Sequence, residues 1–121
     1  MLNAQRYPLS TTPYDVTVKT LAMQQAAAQL NLEWHLPKLA VSFRARPVAD
    51  PDHPDDAANP PRLAEPIVEE FPNLHGAPRS TCRLCGECDL GCNFGSKNTL
   101  DFNYLSAAKR KGADVRPLSE V

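Results

Sequence analysis

Twelve prolines in 121 residues, about a tenth of the chain where ~5% is usual, constrain the possible folds more than any other feature. Six of them fall from Pro47 to Pro66, interleaved with Asp50, Asp52, Asp55 and Asp56. A proline ring fixes φ and removes a backbone donor, so the stretch RPVADPDHPDDAANPP builds neither a ladder nor a long helix. It predicts a solvated acidic loop over residues 44–71, following a helix-and-strand segment over 1–43. His53 lies among those aspartates. A flexible surface loop is the better reading than a divalent-metal site, because nothing holds the carboxylates in one geometry.

The length is that of one domain. With 13 basic and 14 acidic residues the net charge is −1, which gives no electrostatic reason to expect nucleic acid or an anionic membrane as partner. No run approaches the ~18 consecutive apolar residues of a membrane span. The start, MLNAQRYPLS, lacks the charged-then-apolar order of a signal peptide, so a cytoplasmic location is expected.

Two helices stand out. PYDVTVKTLAMQQAAAQLNL offers Asp15 or Thr17 as N-cap and an alanine-rich centre, and predicts a helix over about 17–30 whose apolar stripe, Val18, Leu21, Met23 and Leu32, is expected to pack. A short strand over Leu39 to Phe43 follows Pro37. Further on, GSKNTLDFNYLSAAKRKG supplies Asn98 or Thr99 as N-cap, Asp101 in the first turn, Lys109, Arg110 and Lys111 in the last, and Gly112 as the stop, predicting a helix over 99–111. Asp114 to Arg116 then reads as a strand that resumes after Pro117, giving half of a βαβ unit in an α+β arrangement. Between these elements, Ile67, Val68, Phe71 and Leu74 can dock a loop onto a body. His75, beside Gly76, either reaches a site or bonds to backbone as an ordinary loop histidine.

All four cysteines, Cys82, Cys85, Cys88 and Cys92, fall in CRLCGECDLGC. The spacing C-x2-C-x2-C-x3-C is that of bacterial ferredoxin clusters, with Asn93 where a proline follows the last cysteine. Four thiolates must converge on a small cube, and Gly86 and Gly91 supply the turns this needs. In two-cluster ferredoxins the fourth cysteine of the run serves the other cluster, so one run does not close a cube by itself. Structural zinc sites use a longer spacer between their knuckles, and two disulfides here would close small, strained loops. Iron–sulfur ligation, zinc and cysteines that simply pack all remain open.

The stretch from Pro72 to Val121 resembles the central part of bacterial glucose-methanol-choline (GMC) oxidoreductases, in particular their cholesterol-oxidase-like group. The blocks that carry the likeness are CGECDLGC, GSKNTLDFNYLSAA and GADVRPLSEV. The earlier YPLSTTPYDVTVKTLAMQQAAAQLNLEWHLPKLAVSF resembles the segment that precedes them in that group, on the substrate side. The resemblance implies an α+β fragment of an FAD-binding α/β oxidoreductase that oxidises the CH–OH group of a sterol or other bulky alcohol, with FAD accepting the hydride. It points to Gly95, Lys97, Asn98 and Thr99, at the helix entry, as cofactor-binding candidates, although helix capping explains Asn98 and Thr99 equally well. The family's GxGxxG fingerprint is absent from this chain, and its histidine–asparagine catalytic pair would lie beyond Val121. The expectation is therefore an internal fragment. Residues 72–98 form its cysteine-rich loop and 99–121 enter the FAD-binding domain; it has no catalytic residue of its own, is inactive alone and is completed by the rest of the flavoenzyme chain. The alternative is a 4Fe–4S ferredoxin-like electron-transfer module without flavin; a plain structural segment also stays open.

Overall fold

A computed structural model describes residues 4–47, 57–116 and 118. His53 and its neighbouring aspartates lie outside them, as do Pro117 and residues 119–121, where the last strand was expected to resume. Among the described residues, regular structure consists of a 3-10 turn at Tyr14–Val16, helix α1 at Val18–Gln29 and helix α2 at Tyr104–Arg110.

Helix α1 starts one residue after Thr17, which sits extended at the N-cap position but does not cap with its side chain. The Thr17 hydroxyl is instead bonded to the Tyr14 carbonyl and the Tyr7 hydroxyl, and Asp15 accepts from the Thr12 hydroxyl. The helix ends where Asn31 enters the left-handed region at φ 51, a conformation asparagine tolerates better than most residues. The expected packing stripe is exposed: Val18 is 82% and Met23 58% accessible, and only Ala27 of the helix is buried.

Helix α2 is shorter than the predicted 99–111 and is capped elsewhere. The Asn98 amide bonds to the Ala40 carbonyl, and residues 99–103 form successive turns rather than helix. The cap is Asn103, whose side-chain oxygen accepts from the Tyr104 amide at 2.6 Å. Long-range hydrogen bonds have claimed Asn98, and Asn103, five residues on, caps the helix instead. Lys109 and Arg110 lie in the last turn, where the helix dipole favours them.

The expected strand over Leu39 to Phe43 reduces to isolated antiparallel pairings, Gln5 with Leu39 and Val41 with Lys97, and Asp114 to Arg116 forms no strand among the described residues. Backbone bonds nevertheless stitch four extended segments side by side. Ile67 donates to Arg79 and Thr81 to Glu65, Cys82 donates to Ser42, and Ser42 donates to Ser96. Each pairing lasts one or two bonds before the chain bends away, which is too short for a ladder.

The centre beneath these segments is mostly polar. Tyr7, Tyr14 and Phe43 form a mutual edge-to-face cluster with centroids 5.5–5.8 Å apart, a favoured arrangement of aromatic quadrupoles. Burial pushes the Tyr14 phenol up to about 12. Around the cluster, Gln5, Ser42, Thr81, Ser96 and Asn98 are buried, and among the described residues nine buried polar side chains stand against five apolar ones, Pro8 included. No helix among the described residues is long and apolar enough to cross a membrane.

Candidate functional site

The cysteine loop projects from this stitched base. At its foot the Ser80 amide donates to the Phe94 carbonyl at 2.9 Å and the Cys82 amide to the Ser42 carbonyl at 2.9 Å. The chain turns through Leu84 at φ 57 and Gly86 at φ 78, a left-handed pair in which glycine relieves the second position. The Arg83 guanidinium lies 4.1 Å over the Phe94 ring. Lys97 Nζ donates to the Cys88 carbonyl at 3.0 Å and ties the loop back to its base.

The four candidate metal ligands are free thiols; Cys85 and Cys88 are exposed, Cys82 and Cys92 half-buried. Among the described residues, which include all four cysteines, no three Cys, His, Asp or Glu side chains converge into a group that could hold a metal ion. Cys82 lies near enough to Cys88, Cys85 and Cys92 for all three to raise its pKa, so the four ferredoxin-spaced thiols share one neighbourhood.

Two of the thiols are differentiated by their surroundings. Burial raises the pKa of Cys82; the Leu84 amide, 3.4 Å from its sulfur, opposes this, and Cys88, Cys85 and Cys92 raise it further. At Cys92 burial acts upward too, but the amides of Lys97, Phe94 and Ser96 and the Ser96 hydroxyl outweigh it and hold the thiol below its ordinary value. The Ser96 amide is 3.3 Å from that sulfur. Because the thiolate is the reacting species, iodoacetamide at about pH 7.5 is expected to label Cys92 well before Cys82, as read by peptide mass spectrometry. Equal labelling rates would contradict the difference.

The four candidate cofactor residues divide into two kinds. Gly95 and Asn98 are buried and serve the fold through Arg79. The Arg79 side chain, 7% accessible, donates from Nε to the Gly95 carbonyl at 2.7 Å, and from Nη2 to the Asn98 side-chain oxygen at 2.7 Å and the Lys97 carbonyl at 3.3 Å. Its Nη1 pairs with Glu69 at 3.1 Å, and its guanidinium stacks 4.5 Å over the Phe102 ring. Asn98 also accepts from the Ser42 hydroxyl at 3.1 Å. Lys97 and Thr99, in contrast, line an open cavity of about 380 Å³.

That cavity is also lined by His75, Cys92, Asp101 and Phe102. His75 Nε2 lies 2.6 Å from Asp101 Oδ2, and its ring meets Phe102 edge-on at 5.6 Å. The Thr99 hydroxyl foremost, with His75 adding less, lowers the Asp101 pKa against the opposing effect of burial. Asp101 is therefore the partner of a loop histidine and not simply a first-turn helix acid. Its carboxylate contributes stability that is fully present above its ordinary value of 3.8 and is lost as the pH falls through the depressed folded value. With both side chains a third or more exposed, the contribution is at most about 1 kcal/mol. Asp101→Asn is expected to flatten the loss of thermal stability between about pH 4 and pH 2, measured by melting temperature against pH; an unchanged slope would count against the pairing.

Sequence reasoning brought Lys97, Thr99, His75 and Cys92 forward as candidates, and the structure places all four on one cavity. It missed Arg79, Phe102 and the His75–Asp101 pair. Local pattern carries no signal for Arg79, whose partners lie 10 to 19 residues away.

Over 49 residues, 40% of this chain, the sequence is 47% identical to a cholesterol oxidase of Acinetobacter baumannii. Over 46 residues, 38% of the chain, it is 48% identical to cholesterol oxidases of Mycobacterium tuberculosis strains CDC 1551 / Oshkosh and ATCC 25618 / H37Rv. This stretch is similar to part of those cholesterol oxidases. The cholesterol-oxidase-like stretch amounts to 9% of the first relative's length and 8% of the other two. No protein-family model matches the chain, and no solved structure matches it.

Proposed function

We propose that this chain is part of an FAD-dependent oxidoreductase of the GMC type, acting on the CH–OH group of a sterol or other bulky alcohol. The observation that carries the reading is the 47–48% identity to three cholesterol oxidases. The flavin would supply hydride acceptance when bound. The residues present here do not make a dinucleotide cradle: Gly95 and Asn98 are engaged by Arg79, and the Asn98 amide by Ala40. In this reading the rest of the flavoenzyme chain holds the flavin. Lys97 and Thr99 are the two candidate cofactor residues on a cavity, beside His75, where an ammonium and a hydroxyl can meet an anionic or polar group of a ligand.

The test is to express the gene product that carries this chain, purify it anaerobically, and measure its flavin spectrum and its turnover of a sterol and of a short primary alcohol. Copurifying flavin with sterol oxidation is expected; a flavin-free protein inactive on both alcohols overturns the reading. The iron–sulfur electron-transfer alternative rests on the cysteine spacing, with no metal-holding group among the described residues. Iron and acid-labile sulfide measured on the same sample decide that point.

A further inference from the structure

Residues 85–91 of the cysteine loop are all exposed, Cys85 and Cys88 among them. The other two cysteines stand half-buried at its foot with their sulfurs engaged: Cys82 accepts from the Leu84 amide at 3.4 Å and Cys92 from the Ser96 amide at 3.3 Å. Only Gly86 and Glu87 separate Cys85 from Cys88. The chain bends at Gly86, where φ is 78 and an added Cβ would meet nothing within 4 Å. A glycine bend inside a four-residue stretch can bring its ends to the ~4.4–6.8 Å between Cα atoms that a disulfide spans. Lys97 Nζ holds the Cys88 carbonyl at 3.0 Å and so anchors one end of that stretch by its backbone, leaving the Cys88 side chain exposed. Both thiols also lie near enough to Cys82 to raise its pKa.

We propose that Cys85 and Cys88 form an exchangeable dithiol, which reduces low-molecular-weight disulfides and closes into a disulfide of its own in doing so. In the first step one thiolate of the pair attacks a sulfur of the small disulfide, giving a mixed disulfide and one small thiolate, which takes up the proton the attacking thiol lost. The second thiol of the pair then attacks the protein sulfur of the mixed disulfide and expels the other small thiol. Two protein thiols and one small disulfide thus become one protein disulfide and two small thiols: the pair loses two electrons and two protons, and the small disulfide gains them. Closing so short a loop constrains the unfolded chain little, and strained or exposed disulfides are the labile ones. The same shortness that argues against a structural disulfide here therefore favours a reversible one. This goes beyond the flavoenzyme reading and does not depend on it. A flavin-free gene product would overturn that reading and leave this one standing.

The test is to incubate the reduced gene product that carries this chain with oxidised glutathione, quench with iodoacetamide, digest with trypsin and Asp-N, and map the cysteines by mass spectrometry. Cleavage after Arg83, before Asp89 and after Lys97 separates Cys85 and Cys88 from Cys82 and from Cys92. The peptide of residues 84–88 is expected to appear unlabelled and lighter by two hydrogens, with Cys82 and Cys92 still alkylated, and dithiothreitol is expected to restore labelling of both its thiols. Of the single variants Cys85→Ser and Cys88→Ser, each at an exposed position, at least one is expected to keep a glutathione adduct on its remaining thiol, because nothing displaces it. Full alkylation of Cys85 and Cys88 after glutathione treatment, adducts on both without closure, a disulfide that takes in Cys82 or Cys92, or absence of an adduct in both serine variants overturns the dithiol. Iron or zinc retained by these thiols through purification overturns it as well.

Discussion

Arg79→Met is expected to lower stability by about 2–4 kcal/mol, because removing the buried guanidinium strands a half-buried carboxylate and three oxygen acceptors. The methionine keeps much of the apolar stem and removes the guanidinium alone. It leaves the Glu69 carboxylate, 23% accessible, without its cation, although Asn73 still donates to it at 2.8 Å. The Gly95 and Lys97 carbonyls and the Asn98 side-chain oxygen each lose a donor in the same step. Folded domains are stable by only about 5–15 kcal/mol, so the loss is a large fraction of the total. Arg79→Lys retains the charge but not the planar fork that reaches several acceptors at once, and is expected to fall between the methionine variant and the parent. Urea unfolding followed by circular dichroism measures both. A methionine variant within about 1 kcal/mol of the parent would show that these bonds are nearly balanced by solvent.

Gly95→Ala is the second large effect, expected at about 2–5 kcal/mol. Gly95 has φ 62, and a Cβ built there would lie 2.8 Å from Arg79 Cγ. The backbone conformation alone costs a side-chain-bearing residue about 1–2 kcal/mol, and forced displacement of a packed neighbour adds about 1–3 kcal/mol. Gly76 supplies the control: its φ is 61, but a Cβ there meets nothing within 4 Å. Gly76→Ala should therefore lose only the backbone part, and the difference between the two alanine variants measures the contact with Arg79. Equal losses would mean that Arg79 moves aside freely.

Local chemistry made α1 legible: an alanine-rich centre and a plausible start at Thr17 lie near the observed ends. The same kind of signal misplaced the start of the second helix. Asn98 looks like a cap in isolation, but Ser42, 56 residues away, and Arg79 hold its side chain. The apolar stripe of α1 was legible as a stripe, but Val18 and Met23 are exposed, since amphipathic spacing does not say what will cover a face. Cysteine spacing likewise counted the thiols without fixing where their sulfurs point. Lys97 and Thr99 were readable as candidates through the GMC resemblance, and His75 as a loop histidine beside Gly76. Arg79 could not, because its importance comes from carbonyls and carboxylates presented by other segments.

The balance of buried groups also bears on how this protein responds to temperature. Newly wetted apolar surface raises the heat capacity of an unfolding chain, whereas newly wetted polar surface lowers it. With nine buried polar residues against five apolar ones among those described, the two contributions are expected to cancel more than in an oil-cored domain of equal length, giving a shallower stability curve that a calorimetric heat-capacity change of unfolding would test.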